Sequence, residues 1–190
     1  MTGSHMLYLM RHGAPTREGL LLGRTDASVT VQGIAACLAR AATLDVARIV
    51  TSDLARTRDC ARAIAASRAI EVDIDPRWRE LDFGAWDGLE PAEADPTALA
   101  QFYDDPDAAP PPGGERWSAL QGRVHDALAD LPPAATLVVA HGGAIRAALA
   151  DVCGFDRRQI WAFDLPYASL VSLRIWPEDE RTVQIVGLAT

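Results

Sequence analysis

Two short apolar runs, remote from each other in the chain, each stop on a histidine followed by glycine. Leu7-Tyr8-Leu9-Met10 leads into Arg11-His12-Gly13, and Thr136-Leu137-Val138-Val139-Ala140 leads into His141-Gly142-Gly143. Continuous apolar runs of this length read as strands covered on both faces, which is the habit of parallel sheets packed between helices. The glycines allow the chain to turn sharply where each strand ends. In open parallel sheets, ligands bind beyond the carboxyl ends of the strands. The pattern therefore predicts an α/β fold in which two strand ends present imidazoles to one site.

The intervening sequence fits that scheme. After the first strand, residues 14–28 form a loop carrying Pro15, Thr16, Arg17, Gly19, Gly23, Arg24 and Asp26. Thr30 is a predicted N-cap for a helix over 31–44, whose apolar face contains Ile34, Leu38 and Ala41. Residues 48–52 read as a second strand and 53–67 as a second helix, which makes a βαβα unit with parallel strands joined by a right-handed crossover. Residues 71–75 are a weaker strand suited to a sheet edge. From Pro76 to Trp117 regular periodicity fades, but Trp78, Phe83, Trp86, Phe102 and Tyr103 are too many aromatics for a flexible tether. This excursion is expected to act as a wall or lid, with one short helix near 96–103. Helical spacing returns over 117–131 and stops at Pro132-Pro133. A helix over 144–153, ending near Gly154, and strands over 169–176 and 183–188 complete the expected order.

With 190 residues and 49% hydrophobic composition, a single domain over 1–190 is expected, residues 1–5 being a cloning remnant and 76–117 an excursion over the site. The chain contains no lysine, so all 18 basic residues are arginines, the planar forks that suit phosphate and carboxylate. A net charge of −8 argues against a nucleic-acid partner or a membrane surface, so any anion site has to be local. Cys37, Cys60 and Cys153 show neither metal-binding nor disulfide spacing, which fits a reducing cytoplasm. No apolar stretch has spanning length and no secretory leader is evident. Monomer and homodimer both stay open.

Arg11 at the mouth of a buried strand needs an anion or an acid to offset its burial. Arg56, in the first turn of the second helix, stands at the same side of the sheet. The helix amino terminus at Gly142 and Gly143 adds N–H groups that favour an anion. A positive pocket around two imidazoles suits phosphoryl transfer, with a histidine nitrogen attacking phosphorus and arginines holding the oxygens. A proton donor for the leaving alcohol is then required. Arg79-Glu80-Leu81-Asp82-Phe83-Gly84 sets carboxylates among apolar and aromatic neighbours, and Glu80 is the preferred acid with Asp82 as its competitor. No histidine pair at helical spacing and no acid cluster accompanies these residues, so a metal centre is not expected.

These residues resemble the motifs of the histidine phosphatase superfamily, which includes the cofactor-dependent phosphoglycerate mutases. Arg11-His12-Gly13, Gly23-Arg24-Thr25-Asp26 through Gly33, Ser52-Asp53-Leu54-Ala55-Arg56, Glu80 with its Phe-Gly segment, Gly114-Glu115 and Ala140-His141-Gly142-Gly143 occur in the family's order. The resemblance implies a three-layer α/β/α sandwich with a mostly parallel central sheet and a reaction without metal or other cofactor. It implies His12 as the nucleophile that becomes phosphohistidine, Arg11, Arg56 and His141 as phosphate ligands, and Glu80 as the acid. Thr16, Arg24, Gly142 and Trp86 are the candidate substrate contacts, although Ala14-Pro15-Thr16 departs from the acidic residue and threonine that many members carry there. Leu81-Asp82-Phe83-Gly84-Ala85-Trp86-Asp87-Gly88 is most similar to α-ribazole phosphatases, which implies α-ribazole 5′-phosphate as substrate, with Trp86 or Trp117 stacking on its base. The alternatives are a mutase or sugar-phosphate phosphatase, or a phospho-ligand-binding module without turnover.

Overall fold

Alternate residues of the central strands enter two different cores. In strand β1 (His5–Arg11), Leu7 and Leu9 join one core and Met10 the other; in β4 (Thr136–Ala140), Val138 joins the first and Leu137 and Val139 the second. This is the period-two alternation of a strand with both faces covered. Every residue of β4 is buried, as expected of a central strand flanked by helices on both faces. These relationships come from a computed structural model that describes residues 3–176 and 182–190. The first two residues of the expected 1–5 remnant lie outside the described residues, while His5 already pairs with Ile175 in the sheet.

The remaining strands are β2 (Arg48–Thr51), β3 (Val72–Ile74), β5 (Leu170–Trp176) and β6 (Thr182–Ala189), and the sheet runs β3-β2-β4-β1-β5-β6. Strands β3, β2, β4 and β1 are mutually parallel, β5 runs against β1, and β6 runs against β5. Five of the six strands therefore point the same way, so the sheet is mixed but mostly parallel. The short β3 occupies an edge, as its alternating acids suggested. The first two strands are parallel as expected, with β4 inserted between them.

Helices α1 (Val31–Ala41) and α2 (Ala55–Ala66) cover one face through Cys37, Ala41, Cys60 and Ile64. Helices α4 (Trp117–Ala129) and α5 (Gly142–Cys153) cover the other through Leu120, Val124, Ile145 and Leu149. The result is the three-layer sandwich. Thr30 caps α1 by accepting the Gly33 N–H at 2.9 Å. Helix α2 lacks a capping side chain of its own, and Asp26 from the preceding loop accepts the Ala55 N–H instead, at 2.6 Å. Two shorter helices, α3 (Pro96–Asp104) and α6 (Arg157–Trp161), complete the described α-helices.

The aromatic excursion is packed onto the α4/α5 face. Trp78, Trp86 and Phe102 are buried there, with Phe102 edge-on to Trp86 at 5.7 Å between ring centres. Burying a side chain as large as phenylalanine is worth roughly 1.5–3 kcal/mol, so these three, set on the short 3-10 turns Pro76–Trp78 and Gly84–Trp86 and on α3, fix the segment to that face. Among the described residues, no helix is long and apolar enough to cross a membrane.

Candidate active site

The two strand ends meet because β1 and β4 are neighbours in register, with Arg11 opposite Ala140. His12 is pinned by both adjoining chains: its N–H donates to Ala140 O at 2.9 Å and its carbonyl accepts from Ala168 N at 3.0 Å. The His12 and His141 rings lie 5.2 Å apart between centroids, edge to face. Sheet register thus brings together two histidines separated by most of the chain.

Hydrogen bonds fix the proton on each ring. His12 Nδ1 lies 2.8 Å from Gly13 O, and a carbonyl only accepts, so Nδ1 carries the hydrogen. Nε2 is therefore the nitrogen whose in-plane lone pair is free. Burial, reinforced by the Arg56 and Arg11 charges, holds the His12 pKa well below its ordinary 6.5 and keeps the ring neutral. His141 has the opposite tautomer. Arg56 Nε can only donate, so His141 Nδ1 accepts at 3.2 Å and Nε2 carries the hydrogen. That hydrogen points to Ser52 Oγ at 2.9 Å, Ser52 donates to Thr57 Oγ1 at 2.6 Å, and Thr57 donates to Leu54 O at 2.9 Å. Burial and then Arg56 hold the His141 pKa well below 6.5 as well.

A cavity of about 240 Å³ opens beside these rings, lined by Arg11, His12, Glu80, Gly142 and Gly143 among the expected residues. Arg11 donates from Nη1 to Leu165 O at 2.6 Å, and its Nε is buried with no partner. Each Glu80 oxygen accepts a backbone N–H, Oε1 from Leu81 at 2.8 Å and Oε2 from Gly143 at 3.0 Å. Glu80 and the amino terminus of α5 are thereby locked together. Asp82, its competitor, instead pairs with Arg24 at 3.3 Å and accepts the Gly84 N–H.

Five expected contacts are placed elsewhere. His141, expected to bind phosphate, is fully buried, does not line the cavity, and has both ring nitrogens engaged, Nδ1 by Arg56 and Nε2 by Ser52. Arg56 is fully buried behind the cavity, its Nη atoms donating to the carbonyls of Thr25, Leu22 and Gly23 at 2.8–2.9 Å. It supplies charge and holds His141 but has few donors left for a ligand. Arg24 does not line the cavity: its guanidinium pairs with Asp82, and its N–H, with those of Gly23 and Thr25, is held by the Asp87 carboxylate. Thr16 is exposed and donates its N–H to Ser28 O, on the outer side of the loop. Trp86 packs against Phe102 in the core, so the aromatic side chains lining the cavity are Phe83, Phe102, Tyr103, Trp117, Trp161 and Tyr167 instead.

Sequence reading missed Tyr167 and Arg146. The Arg11 guanidinium lies over the Tyr167 ring at 4.3 Å, and the same ring approaches His12 at 5.5 Å. Arg146 lines the cavity one turn into α5, stacked on Trp161 at 4.5 Å. Its place one turn after Gly142 was the available signal. Among the described residues, no group of three or more His, Cys, Asp or Glu is arranged to hold a metal.

Comparison with known proteins agrees with this geometry. The sequence profile of the histidine phosphatase superfamily (branch 1) matches residues 7–186. Probable phosphoglycerate mutase GpmB of Salmonella choleraesuis is 32% identical over 163 residues, covering 78% of this chain and 74% of its own. The mycobacterial glucosyl-3-phosphoglycerate phosphatase Rv2419c superposes with a TM-score of 0.84 at 26% identity, covering 96% of this chain and 97% of the other. A candidate alpha-ribazole-5′-P phosphatase from Escherichia coli K-12 shares the fold with a TM-score of 0.83 at 24% identity, over 98% and 97% of the two chains. A match over nearly the whole length, with both histidines at adjoining strand ends, means that this chain belongs to the histidine phosphatase superfamily.

Proposed function

We propose that the protein is a metal-independent phosphomonoesterase that works through a phosphohistidine on His12. The observation that carries this reading is the His12 tautomer: Gly13 O holds the Nδ1 hydrogen at 2.8 Å, which leaves a neutral ring with its Nε2 lone pair available. Nε2 attacks phosphorus, the bond from phosphorus to the ester oxygen breaks, and Glu80 delivers a proton to the departing alcohol. Water then attacks the phosphohistidine, Glu80 takes back a proton, and phosphate leaves with His12 restored. Arg11 and the Gly142 N–H hold the phosphate oxygens, the Gly143 N–H being taken by Glu80, while buried Arg56 adds charge from behind and keeps His141 in place.

For the alcohol, α-ribazole 5′-phosphate is the first choice, supported by an aromatic wall suited to a planar base. A second reading rests on Arg146 in the same wall, whose charge suits an alcohol bearing a carboxylate or second phosphate. The names of two relatives, a phosphoglycerate mutase and a glucosyl-3-phosphoglycerate phosphatase, point the same way. The small, odd number and scattered spacing of the cysteines support a reducing compartment.

The test is direct. His12→Ala should abolish both hydrolysis of p-nitrophenyl phosphate and trapping of labelled phosphate on the protein, while EDTA should leave the wild-type rate unchanged. Turnover by the alanine variant, or loss of activity to the chelator, would overturn the mechanism. Relative kcat/KM values for α-ribazole 5′-phosphate, phosphoglycerates and sugar phosphates then rank the substrates.

A further inference from the structure

Glu80 sits on a stretch that belongs to no helix or strand, so something other than a sheet or helix has to hold it. That support comes from below, from α4. Arg123 Nη1 donates to the carbonyls of Arg77 at 2.6 Å and Arg79 at 2.7 Å, and Nη2 donates to the carbonyl of Glu80 itself at 2.9 Å. Its Nε and Nη2 form a two-point pair with Glu115 at 2.7 and 2.9 Å. Glu115 grips the next residue but one: Oε2 accepts the Asp82 N–H at 3.2 Å, and the Glu115 N–H donates to Asp82 O at 2.9 Å.

All five N–H donors of Arg123 are thus used on the backbone around Glu80 and on Glu115. None remains for substrate, and neither residue lines the cavity. The two side chains are only 17% and 12% exposed. Desolvating such a pair offsets much of its attraction, and apolar residues of similar volume often stabilise a fold as well or better. What apolar residues lack is the ability to fix three carbonyls and one amide at set positions. The position matters, because the Glu80 carboxylate must also reach the Gly143 N–H, at 3.0 Å, on the other side of the site. A misplacement of about 1 Å in a reacting group can cost ~100-fold in rate.

We propose that Arg123 and Glu115 are the positioning pair for Glu80, acting on proton delivery to the leaving alcohol through the backbone of residues 77–82. The proposal rests on Glu80 being the acid. It separates from a purely structural role by leaving-group dependence, since p-nitrophenolate departs without a proton and an alkoxide does not. The experiment measures kcat/KM, which reports phosphoryl transfer from ester to His12, with p-nitrophenyl phosphate and with ribose 5-phosphate. It uses the wild type, E80Q, R123M, R123K, E115Q and E80Q/R123M, each checked by thermal melting.

E80Q should lose about 100-fold or more on the alkyl ester and under 5-fold on the aryl ester. R123M should lose at least 10-fold on the alkyl ester with the same sparing of the aryl ester, and R123K should recover part of the loss. In the E80Q background, R123M should cost nothing further on the alkyl ester. Should R123M fail to fold, E115Q, which keeps the shape of the pair, is expected to show the same selectivity at smaller size. Equal losses on both esters, or additive losses in the double variant, would overturn the positioning role while leaving Glu80 as the acid. An E80Q enzyme equally slow on both esters would remove the acid assignment and this proposal with it.

Discussion

Arg56 Nε donates to His141 Nδ1 across 3.2 Å inside a fully buried site, and the same guanidinium holds the carbonyls of Leu22, Gly23 and Thr25. One side chain therefore ties the loop after β1 to the histidine after β4. Arg56→Met should be among the most costly single changes in the molecule. It leaves four acceptors without their donor, three of them buried, and a destabilisation of about 3–5 kcal/mol is expected, the range for breaking a buried charged network from one side. Urea unfolding would measure it, and a midpoint within error of wild type would show that the guanidinium does not hold the site together.

His12 and His141 both have pKa values held well below 6.5, chiefly by burial. For kcat/KM, the acid limb due to the nucleophile should lie well below pH 6.5, with no inflection at the ordinary imidazole value. For stability, the unfolded chain binds protons on these two residues below about 6.5 and the folded chain does not, so stability is full above that pH and falls as the pH drops towards the folded values. Each histidine contributes a slope of up to ~1.4 kcal/mol per pH unit in that window. Urea titrations between pH 5 and 8 on wild type and His12→Asn should show the shallower slope in the variant. Parallel slopes would mean that His12 titrates alike in both states.

Much of this site was legible in the sequence because strand ends announce themselves. The apolar runs before His12 and His141 and the glycines after them placed both imidazoles at one sheet edge. The helix cap at Thr30 and the edge position of Val72–Ile74 likewise follow from local chemistry. What local chemistry could not reveal is which polar groups are spent on each other. Arg24 and Arg56 look alike as arginines in loops and first turns, yet Asp82 takes one and three carbonyls take the other. The turn at 165–169 carried only Pro166 as a signal: Ala168 has a φ of 60°, where glycine would have marked a left-handed residue. That turn supplies Tyr167 and the Leu165 carbonyl to Arg11.

Two glycines close to the histidines should fail in different ways. A Cβ at Gly13 would stand 2.2 Å from the Gly33 carbonyl, so Gly13→Ala forces α1 away from the strand end and should cost about 1–3 kcal/mol in stability. A Cβ at Gly143 would stand 2.1 Å from Glu80 Oε1. Gly143→Ala should displace the carboxylate and lower kcat/KM for ribose 5-phosphate at least 10-fold with a smaller effect on melting. Melting curves and kinetics on the pair would check this, and a Gly143→Ala enzyme of wild-type rate would show that Glu80 need not contact the α5 amino terminus.

Arg146 offers the sharpest handle on the leaving group. Its guanidinium is held loosely by protein, with Nη2 at 3.2 Å from Phe163 O, Nη1 at 3.4 Å from Gly142 O, and Nε buried without a partner. Stacking on Trp161 fixes its plane at the cavity wall. If the natural alcohol carries a carboxylate, Arg146→Gln should raise KM for 3-phosphoglycerate about 10-fold or more, the size of a charge-assisted hydrogen bond worth ~1.5 kcal/mol or above. The same change should leave KM for α-ribazole 5′-phosphate within about 2-fold, since that alcohol has no anion to pair, whereas Trp161→Ala should raise it through lost stacking. Steady-state kinetics of both variants on both esters decides between the two alcohols: a KM effect confined to Trp161→Ala favours the planar base, and one confined to Arg146→Gln favours the anion.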